Sequence, residues 1–146
     1  MRLRELLEGI PVLSATADLE LEISDVSYDS RAVRPGGLFV AMTGFAVDGH
    51  DFIPEVLNRG AACVLAERMT GGCTGPAVLV PSVPSALQSI AEFYRRGFDI
   101  PVIGVTGSVG KTTAKEMLYA VLSQKYCVHK TAGNFNNELG VPLTLF

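Results

Sequence analysis

The sequence predicts an α/β protein in two parts. A small N-terminal α/β domain spans residues 1–98, and the opening strand, helix and strand of a second domain span 99–146. Three observations carry this. Apolar runs of strand length alternate with helical stretches along the chain. A glycine-containing loop stands between an apolar run and a helix just beyond residue 100. The charge balance also changes sign there, which points to two parts with different ligands.

Arg2 to Glu8 reads as a short helix, closed by Gly9 with Pro11 just beyond. Leu21, Ile23 and Val26 suggest a strand running into the polar turn Tyr28-Asp29-Ser30-Arg31. After Pro35-Gly36-Gly37, the run Leu38 to Met42 predicts a buried strand ended by Thr43-Gly44. The loop Ala46 to Asp51 leads to a short helix over about Ile53–Arg59, stopped by Gly60. Ala62–Leu65 and Ala77–Val80 are further strand-length runs, separated by a glycine-rich stretch. Leu87, Ile90, Ala91 and Tyr94 then form one apolar stripe at i, i+3, i+4 and i+7. Ser82 is placed near the N-cap of that helix and Pro84 in its first turn. Gly97 to Pro101 reads as a connection. Past it, Val102–Val105 predicts a strand, Thr106–Gly110 a loop, and about Lys111–Gln124 a helix. Ala114, Met117, Leu118, Val121 and Leu122 form the inner face of that helix, and Tyr126–Val128 suggests a second strand.

Composition narrows the function. With 48% hydrophobic and 18% charged residues, the 146-residue chain is neither disordered nor fibrous. No run is long enough for a membrane helix, and the N-terminus lacks a signal-peptide core, so a cytoplasmic protein is expected. Cys63, Cys73 and Cys127 are too scattered for a disulfide framework or a zinc site. A net charge of −3 argues against nucleic acid as a partner. All eight Arg lie at or before residue 96, and all four Lys at or after residue 111. Residues 1–100 balance to −5 and residues 101–146 to +2.

The loop Gly107-Ser108-Val109-Gly110-Lys111-Thr112-Thr113 carries the chemistry. Small residues let successive backbone N–H groups turn inward on phosphate oxygens, and the helix that follows adds its positive end. Lys111 supplies a point charge for β- and γ-phosphates, and the Thr112 hydroxyl is a candidate Mg²⁺ ligand. The strict P-loop pattern wants glycine at position 105, where this chain has Val105. A strand-to-helix turn using glycine for geometry alone is the competing reading. A dinucleotide fold fits less well, because Gly104, Gly107 and Gly110 miss the G-x-G-x-x-G spacing.

Gly104 to Thr113 resembles the ATP loop of the Mur ligase family, including its departure from the strict P-loop. Lys115-Glu116-Met117 and the segment Lys130 to Pro142 resemble the branch of that family that adds D-Ala-D-Ala. Tyr28 to Arg31, Pro35 to Ala41, and Thr43-Gly44 through Ile53 resemble the family's N-terminal domain, so the resemblance covers nearly the whole chain. It implies a small UDP-substrate domain followed by the first βαβ part of a P-loop ATPase domain. It implies ATP and Mg²⁺ as cofactors, held by Thr106, Gly107, Ser108, Val109, Gly110, Lys111, Thr112 and Thr113. Lys111 is then the catalytic cation and Thr112 the metal ligand. The substrate-binding candidates are Ser30 and Arg31, the loop Thr43, Gly44, Phe45 and Ala46, and Asn134, Asn136 and Asn137 beside Glu138. Each has a plainer reading as turn or loop structure. Asp48-Gly49-His50-Asp51 reads as architectural.

The activity implied is ATP-dependent, acyl-phosphate joining of D-Ala-D-Ala to UDP-N-acetylmuramoyl-tripeptide in cytoplasmic peptidoglycan precursor synthesis, by a monomer. The adenine pocket, an acidic Mg²⁺ ligand and the dipeptide domain of such ligases lie beyond these 146 residues. The chain alone is therefore expected to be a truncated portion without catalysis. A non-catalytic UDP-sugar-binding module, the related ligase adding the third amino acid, and an unrelated P-loop kinase are the alternatives.

Overall fold

The computed structural model describes residues 1–44, 47–70, 72–133 and 139–146. Its sheet has five strands: β1 (Ser14–Ala15), β2 (Val26–Ser27), β3 (Leu38–Val40), β4 (Cys63–Ala66) and β5 (Ala77–Leu79). Their spatial order is β1-β5-β4-β3-β2. β2 through β5 run parallel, and β1 pairs antiparallel with β5, Ser14 opposite Leu79. The expected α/β class is borne out.

Unbroken apolar runs make β3, β4 and β5 because both faces of the sheet are covered there. Leu38, Val40, Cys63, Leu65 and Val78 point to one side. There they meet Leu3 and Leu6 of α1 (Leu3–Leu6) and Val83, Ala86, Leu87 and Ile90 of α3 (Val83–Arg96). Phe39, Ala41, Val64 and Ala66 point to the other side, against Ile53 and Val56 of α2 (Ile53–Asn58). Alternation of side chains along a strand thus fills two cores from one run. Burial pushes the Cys63 thiol up to about 12, so this cysteine is a core residue.

α3 follows its expected stripe, with Val83, Ala86, Leu87, Ile90 and Ala91 all buried. Ser82 caps it, its hydroxyl oxygen accepting from Ser85 N–H at 3.4 Å, and Arg95 and Arg96 fill the last turn. Gly60 closes α2 at φ 95°, a conformation that favours glycine.

Three expectations change. The N-terminal helix is one turn, Leu3–Leu6, because Arg2 is bridged to Glu22 and Gly9 turns the chain at φ 75°. The Val102–Val105 and Tyr126–Val128 runs are not strands. A strand exists only through a partner, and neither run has one among the described residues, leaving Val102 66% and Ile103 58% exposed. Of the strand–helix–strand unit, the helix alone forms, as α4 (Lys111–Leu122). Its expected inner face is uncovered, with Met117 66% and Val121 71% exposed.

A last turn, α5 (Gly140–Leu143), packs on α3, and Leu139, Leu143 and Phe146 join the first core. The Tyr94 and Phe146 rings lie 5.3 Å apart.

Candidate functional site

The glycine loop enters α4 as its sequence requires. Gly110 is the N-cap in the left-handed region at φ 80°, and Gly107 stands at φ 146°. Both conformations resist a side chain, so these glycines set the turn. No side chain caps α4, and the loop is open, with Val109 89% exposed. The first amides of a 12-residue helix therefore face outward at its positive end. Lys111 folds back over the loop and donates Nζ–H to the Gly107 carbonyl. Thr106, Ser108, Thr112 and Thr113 are exposed around it. The structure thus brings together all eight loop candidates.

One turn further, α4 grips the segment leading to the asparagines. Lys115 Nζ donates to the carbonyls of Thr131 and Gly133, at 2.8 and 2.9 Å. Glu116 pairs with Lys130, whose ammonium also lies 4.2 Å from the centre of the Tyr119 ring. The Lys130 bond, with Lys115 adding to it, lowers the Glu116 pKa. Asn134, Asn136 and Asn137, with Glu138, lie outside the described residues, as do Phe45 and Ala46.

Arg31 is occupied locally. Asp29 accepts from its backbone N–H, Nε–H and Nη2–H at 3.0, 2.9 and 2.8 Å. These bonds hold the Asp29 carboxyl down at about 2. The Ser30 carbonyl accepts from Arg59 Nη1–H at 3.1 Å, tying this turn to the end of α2. No hydrogen bond among the described residues joins this turn to the Thr43–Gly44 loop.

That loop has its own hub. Thr43 is bridged to Asp48, and Gly44 N–H donates to the Val47 carbonyl at 2.9 Å. Asp48 Oδ1 accepts from the Thr43 hydroxyl (3.3 Å), the His50 N–H (3.0 Å) and the His50 ring at Nδ1 (2.6 Å). Arg68 pairs with Asp48 Oδ2. His50 is fully buried, and its Nε2 accepts from Glu67 N–H at 3.2 Å, which fixes the ring proton on Nδ1. The architectural reading of His50 fits this satisfied environment. Arg68 escaped the sequence reading, because it stands 20 residues from Asp48 and a lone arginine after a strand carries no local signal.

The His50 amide and ring, in that order, hold the Asp48 carboxyl down at about 2. A depressed carboxylate contributes stability above its unfolded pKa, and that contribution is lost as pH falls through the folded value. The thermal midpoint is therefore expected to drop between about pH 4 and pH 2. Asp48→Asn should flatten the drop, and midpoint-against-pH curves that superimpose would count against it.

What fold and loop define is an α/β protein with a mostly parallel sheet and a glycine loop opening a helix. The Mur ligase family, catalytic domain, matches residues 22–95, and the Mur ligase middle domain matches 105–146. The chain belongs to the Mur ligase family. It is 45% identical over 145 residues to UDP-N-acetylmuramoyl-tripeptide--D-alanyl-D-alanine ligase of Synechocystis sp., covering 98% of this chain and 32% of that protein. The crystal structure I of MurF from Acinetobacter baumannii superposes with a TM-score of 0.81 at 31% identity, over 99% of this chain and 32% of that one. MurF ligase from Thermotoga maritima, solved in complex with ADP, gives 0.74 at 45% identity over 83% and 28%. The chain thus spans about a third of the length of the relatives it matches. Among the described residues, no helix is long and apolar enough to cross a membrane.

Proposed function

We propose that the chain supplies the UDP-substrate domain, residues 1–98, and the opening of the ATP domain, 99–146, of a cytoplasmic, monomeric ligase. That ligase joins D-Ala-D-Ala to UDP-N-acetylmuramoyl-tripeptide through an acyl phosphate. The observation that carries the reading is the exposed, uncapped glycine loop opening α4, with Lys111 folded over it. Likeness to the ADP-bound MurF of Thermotoga maritima supports a nucleotide there.

The loop amides and Lys111 would bind the phosphates, and their fixed charge would stabilise the γ-phosphoryl group in transfer. Mg²⁺ prefers phosphate oxygens, water and one or two protein oxygens. The exposed first-turn Thr112 hydroxyl suits that donor set, and no metal-binding group of three His, Cys, Asp or Glu exists among the described residues. Bound there, the ion would neutralise phosphate charge. The turn at Ser30 and Arg31 and the loop from Thr43 to Ala46 would receive the UDP end. Asn134, Asn136 and Asn137 would meet the sugar or its diphosphate.

Calorimetric titration of the 146-residue chain with Mg·ATP and with UDP-N-acetylmuramoyl-tripeptide tests this. Lys111→Ala should weaken ATP by about ten- to a hundredfold, the range of one charge-assisted bond. UDP-ligand binding should change by less than about twofold, since no hydrogen bond among the described residues joins Lys111 to the Ser30–Arg31 turn or the Thr43–Gly44 loop. Equal ATP affinity with and without Lys111 would overturn the loop's role. UDP-ligand binding with no ATP binding at all would favour a binding module.

A further inference from the structure

We propose that Asp48 is a positioning residue that latches the Thr43–Gly44 turn into the shape that receives the UDP end of the substrate. The proposal rests on the substrate reading above, and adds residues outside the set assigned to ligand binding. Four groups from three places converge on one carboxylate. The Thr43 hydroxyl comes from the exit of β3, the His50 amide and ring from the turn before α2, and Arg68 from the exit of β4.

The latch is anchored on its inner side. The His50 ring is wholly buried, and its second nitrogen accepts from the Glu67 N–H. Glu67 Oε1 accepts in turn from Val83 N–H at 3.0 Å, the first residue of α3. The Thr70 hydroxyl donates to the His50 carbonyl at 2.6 Å. Asp48 therefore connects an exposed turn to the exit of β4 and the start of α3. Such a fixed frame lowers the ordering cost of binding, because the turn is already shaped before the ligand arrives. Removing the carboxylate frees the Thr43 hydroxyl, leaving the backbone bridge alone to hold the turn, and leaves the buried ring N–H and Arg68 without their acceptor.

The test uses the 146-residue chain, with amide hydrogen exchange at Gly44 read by NMR and UDP-N-acetylmuramoyl-tripeptide affinity read by calorimetry. Both are measured well below the thermal midpoint of every variant. Asp48→Ala should speed Gly44 exchange and weaken the ligand, each by about tenfold, the worth of one hydrogen bond to a charged group. Asp48→Asn keeps a side-chain oxygen acceptor and should recover to within about threefold of wild type. Should Asp48→Ala fail to fold, Arg68→Ala removes one exposed partner of the latch from outside the binding set, and should speed Gly44 exchange and weaken the ligand by about threefold each.

A lowered midpoint with unchanged ligand affinity would overturn the latch and leave Asp48 a stability residue. So would an Asp48→Asn variant as weak as Asp48→Ala. A wild-type chain that binds no UDP ligand, while Gly44 exchange still answers to Asp48, would overturn the substrate reading instead.

Discussion

Phe39→Ala should lower the unfolding free energy by about 3–5 kcal/mol, the usual range for emptying a buried aromatic site. Phe39 is fully buried and heads the largest enclosed side chains among the described residues. It sits on β3, paired on both sides, with Ser27 on one flank and Val64 on the other. Its ring lies in the core formed with Ile53 and Val56 of α2. Strands held by two ladders cannot close inward, so most of the ring's volume would remain as a cavity. Urea unfolding followed by circular dichroism measures the loss. A cost below about 1.5 kcal/mol would mean that α2 settles onto the sheet and that this face is loosely built. Met117→Ala, on the uncovered face of α4, is the matched control and should stay within about 0.5 kcal/mol.

Gly49→Ala should cost about 2–3 kcal/mol, near the upper range for forced overpacking. A Cβ at Gly49 would stand 2.7 Å from both the backbone nitrogen and the oxygen of Met42. Those atoms belong to the chain leaving β3, and Gly49 N–H itself donates to Met42 O at 2.8 Å. No side chain can swing aside, so the turn must move as a body and take Asp48 and His50 with it. A drop in thermal midpoint, with faster exchange at the Gly49 amide, checks this. An unchanged midpoint would show that the two segments separate at little cost.

Legibility followed the range of the interactions involved. β3, β4 and β5 could be read because burial on two faces writes itself as continuous apolar sequence. α3 could be read because its stripe, Ser82 cap and Gly97 stop are all local. β1 is two residues, Ser14 and Ala15, both exposed, and only pairing with Leu79 and Val78, far along the chain, makes it a strand. The same physics misled at Val102–Val105. The run has strand chemistry, yet pairing depends on a neighbour that its own residues do not encode.

The site divides in the same way. Gly107 and Gly110 announce a loop because their φ values are a local demand. The contact between Asp48 and His50 is two residues long and was within reach of the sequence. Glu67 and Arg68 complete that hub from the exit of β4, and only the tertiary fold delivers them. The Arg31 fork shows the reverse case. Its residue type suits a diphosphate, but Asp29 two positions earlier already engages it.

The antiparallel edge strand has a consequence for how the chain is made. Leu13 N–H donates to Leu79 O at 2.8 Å, and Leu3 and Leu6 rest in the core with Val83, Leu87 and Ile90. Arg2 to Arg4 can pair early with Leu19 to Glu22, but β1 cannot pair, nor Leu3 and Leu6 find their α3 neighbours, before those later residues exist. On a ribosome β2, β3 and β4 are all synthesised before β5, while β1, made before any of them, waits for its partner. β1 is thus among the last elements to settle, a long-range closure of the kind that slows folding.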